Sequence, residues 1–266
     1  MTPPHDSKRE SRLLKTAATT NVIPLLESFL QAGDRFILTF PFMPYGLDQL
    51  LRNRQITPKH AKACLFDLFT ALEHIHKIGI IHRDIKPANI LLRSPSGPAF
   101  LADFGTAWME GDPGSELKDE KILDVGTTSY RPPELMFGNQ RYDTTLDMWA
   151  AGCVAAQVLS LGPKTLFDSG DLGSDLALIK SIFETLGTPT LVNWPVSCHT
   201  VSHLRNRLTC SQEAATFNDW GKMKFTEYPG KPWGDILPRA NEEAVDLVRN
   251  LVVFESRRRL TAADVG

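Results

Sequence analysis

The chain has 266 residues, and 29 Lys and Arg against 31 Asp and Glu leave a formal charge of −2, so charge gives no reason to expect nucleic acid or an anionic membrane as partner. With 42% hydrophobic and 23% charged residues, the composition supports a buried core and excludes a disordered tail. Cys64, Cys153, Cys198 and Cys210 show no Cys-x-x-Cys spacing and read as idle thiols of a reducing compartment rather than a zinc site.

The start, "MTPPHDSKRE", is polar and lacks the apolar stretch of a signal peptide. "SKRESRLLKTAA" (7–18) is rich in helix formers, with Leu13, Leu14 and Ala17 on one side, and predicts a short helix. "NVIPLLESFL" and "DRFILTFPFM" are β-rich runs joined by "QAGD", whose Gly and Asp suit a hairpin turn. A short helix over "YGLDQLLRN" follows. The strongest prediction is a helix over 57–78. Thr57 can cap it, Pro58 fits its first position and Gly79 can end it. Ala61, Cys64, Leu65, Leu68, Phe69, Leu72 and Ile75 recur at three-and-four spacing along one face. From 93 to 129 breakers dominate, with a short strand in "PAFLAD". Helices are expected at about 143–160, 172–186 and 241–253, and 188–238 is an irregular insert. The most apolar run, "WAAGCVAAQVLSLG", is too short to span a membrane and suits a buried helix.

The 57–78 helix delivers the chain into "GIIHRDIKPANILL", residues 79–92. Moving a phosphoryl group to a hydroxyl requires a carboxylate to orient that hydroxyl and take its proton, cations beside the phosphates, and a metal to neutralise charge. Asp84 can be the carboxylate, Lys86 can reach the phosphate, and Asn89 can ligate magnesium through its amide oxygen. Asp103, opening "DFG" at 103–105, supplies a second metal ligand. In order, "HRDIKPAN", "DFG" and "RPPE" (131–134) resemble the eukaryotic protein kinase family. The resemblance implies protein serine/threonine phosphorylation with ATP and Mg²⁺ as cofactors, Lys86 favouring serine or threonine over tyrosine. It makes Asp84, Lys86 and Thr127 catalytic and Asn89 and Asp103 the metal ligands. Asp147 would hold the catalytic-loop backbone, and Glu134 would pair with Arg259.

"LGTPTLVNWP" (186–195) and the irregular stretch after it resemble cyclin-dependent kinases. By that resemblance Glu10 is the glutamate that pairs with an ATP-gripping lysine. "FILTFPFM" is the strand and hinge: Phe40 lies at the back of the adenine pocket, the Pro41 carbonyl and Met43 amide bond the adenine edge, and Leu91 is the floor. "DFGTAW" and "PPELMFG" are similar to fungal kinases that activate cyclin-dependent kinases and work as monomers. The expected partner is therefore a protein substrate, with a cyclin-dependent kinase as the candidate, in cytoplasm or nucleus, with no nucleic acid and no membrane.

The expected fold is α+β and protein-kinase-like: a mainly α-helical lower lobe (44–266) beneath a remnant of a β-rich upper lobe (1–43), one helix plus two strands. No Gly-x-Gly-x-x-Gly occurs, and Lys8 and Lys15 share the helix of Glu10. This reads as an incomplete gene model, and weak activity is expected of these residues alone. Ile122 stands where a phosphorylated threonine is expected, with Asp119, Glu120 and Asp124 nearby to satisfy Arg83 instead. Gly126 and Ser129 replace residues that shape a proline pocket, which argues against proline direction. The alternative function is a silent module that binds a partner through the lower lobe, against which stand the intact Asp84, Lys86, Asn89 and Asp103.

Overall fold

The structure is a computed structural model and describes residues 5–33, 35–190, 194 and 225–265. Most of the 188–238 insert, with Cys198 and Cys210, lies outside the described residues. Helix α1 (Ser7–Thr16) is capped by Asp6, whose carboxylate accepts from the Lys8 and Arg9 amides, and it buries Leu13 and Leu14. Strands β1 (Glu27–Gln31) and β2 (Arg35–Thr39) form an antiparallel hairpin registered from Glu27 opposite Thr39 to Gln31 opposite Arg35. The hairpin leaves Leu26 and Leu30 largely exposed. The upper segment is tied to the rest through Leu101, whose amide donates to the Asn21 carbonyl and whose carbonyl accepts from Ile23.

After the hinge come β3 (Tyr45–Gly46), α2 (Leu47–Arg52) and α3 (Pro58–Lys77). Thr57 Oγ1 accepts from the His60 amide, and the seven apolar positions expected on one face of α3 are all buried. Gly79, at φ +82°, turns the chain out of that helix. Strand β4 (Ile80–Ile81) leads into the catalytic loop, and β5 (Ile90–Leu92) and β6 (Ala99–Leu101) leave it. The order β3-β5-β6 makes one small antiparallel sheet, and β4 pairs with β7 (Trp108–Met109) in another.

Below lie α4 (Pro133–Met136), α5 (Thr145–Leu159), α6 (Asp175–Leu186), α7 (Trp233–Ile236), α8 (Glu242–Leu251) and α9 (Ala262–Val265). Helix α5 is buried continuously from Leu146 to Val158, which explains why its sequence is apolar all round. A Cβ at Gly152 would lie 2.7 Å from the Leu251 Cβ, so glycine is what permits the close approach of α8. No helix among the described residues is long and apolar enough to cross a membrane. Cys64 and Cys153 are buried free thiols, and burial pushes Cys64 up to about 12.

Candidate active site

Two neighbours in sequence, Arg83 at φ +70° and Asp84, open the site. Asp147, fully buried on α5, accepts from the His82 amide at 2.8 Å and the Arg83 amide at 2.8 Å. His76 Nε2 meets the same carboxylate at 2.9 Å. One buried carboxylate thereby fixes two consecutive peptides and holds the loop in a left-handed turn that a non-glycine residue adopts at a cost. His82 Nε2 donates to the Ala102 carbonyl, while its Nδ1 accepts from the Asp84 amide.

Asp84 is held on both oxygens. Oδ1 accepts from the Thr127 amide at 3.0 Å and the Thr127 hydroxyl at 2.8 Å. Oδ2 accepts from Lys86 Nζ at 2.7 Å and Asn89 Nδ2 at 3.2 Å. Burial alone would push this carboxyl up, but the Lys86 hydrogen bond and charge and the Thr127 hydroxyl override it and hold it below the usual range. Such a carboxylate is a weak base. It suits aligning a hydroxyl and taking its proton late, as expected where the transition state is loose.

Asn89 Nδ2 also donates to the Asp84 carbonyl at 2.9 Å. With its amide nitrogen so engaged, Asn89 presents its oxygen away from Asp84. The Ala102 amide donates to the Asn89 carbonyl, and Asp103, at φ +65°, follows Ala102 in the chain. An amide oxygen and a carboxylate are hard donors of the kind magnesium takes when most of its shell is water or phosphate, so this pair fits the ion. Magnesium-ATP would supply the transferable phosphoryl group and neutralise its charge. Neither the Pro41 carbonyl nor the Met43 amide is engaged in the described contacts, which leaves an acceptor and a donor for a purine edge. Leu91, opposite Phe100 in the small sheet, is partly buried. Phe40 is 37% exposed, less enclosed than a residue at the back of a pocket should be.

Glu10 reaches Asp103 and the Phe104 amide. Burial first, then the Asp103 charge, push its carboxyl up to about 7. Among the described residues no cation forms an ion pair with it. At the other end of the segment, Arg259 grips Glu134 with two parallel bonds, Nη1 to Oε1 at 2.5 Å and Nη2 to Oε2 at 2.7 Å, both side chains buried.

One expectation about the activation segment needs correcting. Arg83 is engaged by an acid of the activation segment, but the acid is Glu116, at 3.1 Å. Asp119 instead faces Arg141 and Asp124 faces Arg131. The sequence held four candidate acids within nine residues, and only the loop path decides among them. Gly126 adopts φ +77° and its carbonyl accepts from Arg131 Nε at 3.0 Å. Glycine adopts this backbone without strain.

The family model for the protein kinase domain matches residues 2–266. Because it includes the upper segment, it does not support treating residues 1–43 as a remnant. The chain is 36% identical over 260 residues to the serine/threonine-protein kinase csk1 of Schizosaccharomyces pombe, covering 96% of this chain and 78% of that protein. It is 34% identical over 257 residues to cyclin-dependent kinase 7 of Xenopus laevis, covering 96% and 64% respectively. A solved structure, the yeast RNA Pol II CTD kinase CTDK-1 complex, holds a chain that superposes with a TM-score of 0.78 at 25% identity, over 97% of this chain and 78% of that one. A loop carboxylate braced by a lysine and a threonine, a family model over nearly the whole chain and relatives of this kind lead to one conclusion: the chain belongs to the protein kinase family, as a serine/threonine kinase of the cyclin-dependent-kinase type.

Proposed function

We propose that the chain transfers the γ-phosphoryl group of ATP to serine or threonine on proteins, and that its substrate is the activation loop of a cyclin-dependent kinase. The observation that carries the reading is the fourfold bracing of Asp84 by Thr127, Lys86 and Asn89, a set of bonds that a scaffold has no chemical need for. Asp84 orients the acceptor hydroxyl and takes its proton, Lys86 faces the transferred phosphate, and Asn89 and Asp103 hold the metal. The choice of substrate draws on "DFGTAW" and "PPELMFG" and on the likeness to csk1 and cyclin-dependent kinase 7. With no Gly-x-Gly-x-x-Gly in the sequence and, among the described residues, no cation paired with Glu10, turnover is expected to be slow, since phosphate positioning contributes several kcal/mol.

The test is a phosphotransfer assay with radiolabelled ATP on a cyclin-dependent kinase and on its activation-loop Thr→Ala variant. Label on the first and not the second is expected. Tight binding of the target with no label on it would favour the silent module instead.

We further infer that the kinase works without a phosphate on its own activation segment, because Glu116 already gives Arg83 its counter-charge, and, from the likeness of "DFGTAW" and "PPELMFG" to fungal kinases, that it works as a monomer. Replacing Glu116 by Gln removes a charge-assisted bond to a fully buried guanidinium. Activity is expected to fall about ten- to a hundredfold, measured on protein whose segment is verified by mass spectrometry to carry no phosphate. Undiminished activity would count against the inference.

A further inference from the structure

Lys121, next to the position where a phosphorylated residue is expected, is only 2% exposed. Lysine is among the residues least often buried without a partner, yet no carboxylate among the described residues forms an ion pair with it. Its ammonium lies 4.6 Å from the centroid of the Trp108 ring and 5.2 Å from that of Tyr142, and it donates to the Lys118 carbonyl. Burial holds its pKa below the usual lysine range. A buried cation is costly unless something compensates it. Here the contacts that compensate it are two ring faces and a carbonyl, with the Asp119 and Asp143 charges acting on it from beyond ion-pair distance.

The two rings belong to different parts of the fold. Trp108 is on β7, paired through Ile81 with the strand that enters the catalytic loop, and its indole N–H donates to the Glu116 carbonyl. Tyr142 lies just before α5. Its hydroxyl donates to the Ile122 carbonyl and accepts from Arg83 Nη1. The Lys121 backbone is itself fastened: its amide donates to the Gln140 carbonyl and its carbonyl accepts from Gln140 Nε2. Four residues on, Val125 joins Trp108 and Tyr142 in the same apolar cluster. Thr127, two further, bonds Asp84.

We propose that Lys121 is a positioning residue: its cation, clasped between Trp108 and Tyr142, pins the middle of the activation segment to the catalytic loop so that Thr127 and the substrate-facing residues after it are held ready. The inference rests on the kinase reading for its consequence, and on geometry alone for the pin. Lys121 touches neither acceptor nor nucleotide; it acts through Val125, Gly126 and Thr127.

The test compares Lys121→Met with Lys121→Arg in the full chain. Methionine is of similar length and keeps the apolar stem, while arginine keeps the charge and is also drawn to aromatic faces. If the cation is the pin, cleavage after Glu116 and Glu120 by a glutamyl endopeptidase, mapped by mass spectrometry, rises about tenfold in Lys121→Met, as two desolvated cation–π contacts imply, and stays near wild type in Lys121→Arg. In the same pair, KM for the protein substrate rises in Lys121→Met and ADP affinity does not change, a split that a general loss of fold would not give. If Lys121 only fills space, methionine serves as well and the larger arginine is the worse. Wild-type protection in Lys121→Met, or equal exposure in both variants, overturns the proposal. Should the wild-type chain phosphorylate nothing while Lys121→Met still loses protection, the kinase reading fails and the pin stands.

Discussion

Replacing Asp84 by Asn is expected to lower kcat about a thousandfold, the range lost when a positioned acid–base group is removed, with little change in the KM for ATP. The substitution is nearly isosteric, yet it cannot keep the bonds. Asp84 accepts from two donors on each oxygen, Thr127 on one side and Lys86 with Asn89 on the other. An amide has one oxygen and one NH₂, so whichever way it is turned two donors face a third. If the amide oxygen stays with Thr127, the NH₂ confronts the Lys86 ammonium, which then has no carboxylate beside it. Steady-state kinetics on the protein substrate, with the thermal midpoint measured in parallel, checks the claim. A kcat within tenfold of wild type at an unchanged midpoint would remove Asp84 from the chemistry. The low pKa of Asp84 adds a second expectation to the same experiment: the acidic limb of the wild-type profile owes nothing to Asp84 near neutrality, because that carboxyl is already ionised well below it.

Much of this site was legible because its chemistry is local. His82 to Asn89 span eight residues, so spacing alone states which groups share a loop, and the helix before them announces itself through its cap, its Pro at the first turn and its apolar stripe. What escaped reading depends on contacts between residues far apart in the chain. Strands β4 and β7 are two residues each and pair across 27 positions, too short for any alternating pattern to show. Glu116 reaches Arg83 across 33 residues, and nothing in "GSELKDEKILD" marks it above Asp119 or Glu120. Lys121 reads as an exposed charge on every composition rule and is buried. Its neighbours Trp108 and Tyr142 are 13 and 21 residues away on opposite sides, so the clasp exists only once the segment has folded. The backbone role of Gly126 was hidden for a related reason. A glycine in place of a larger residue looks like lost pocket wall, whereas the structure uses its left-handed backbone to turn a carbonyl onto Arg131.

The second large effect is on stability. Arg259→Met and Glu134→Gln are each expected to destabilise the fold by about 3–5 kcal/mol, the usual loss when one half of a buried ion pair is removed. For a chain of this size that is a fall of roughly 10 °C in the thermal midpoint, which calorimetry would read. Arg259 has no slack to absorb the change. Besides the fork to Glu134, its guanidinium donates to the Val253, Phe254 and Thr145 carbonyls and lies 5.0 Å from the Trp149 ring centroid. Removing Arg259 therefore strands a buried carboxylate and three carbonyls at once. Removing Glu134 instead leaves a cation in a site where three carbonyls remain, and the loss should sit at the lower end of the range. The double variant Glu134→Leu/Arg259→Met strands no charge, and most of the lost stability should return, since apolar replacement of a whole buried pair is often neutral. Activity should not return with it. Glu134 ends the segment that carries Thr127 and Arg131, and a leucine there packs without fixing direction. A double variant with a near-native midpoint and impaired protein phosphorylation would show that the pair serves alignment as well as stability. If the double variant were as active as wild type, Glu134 and Arg259 would be structural alone.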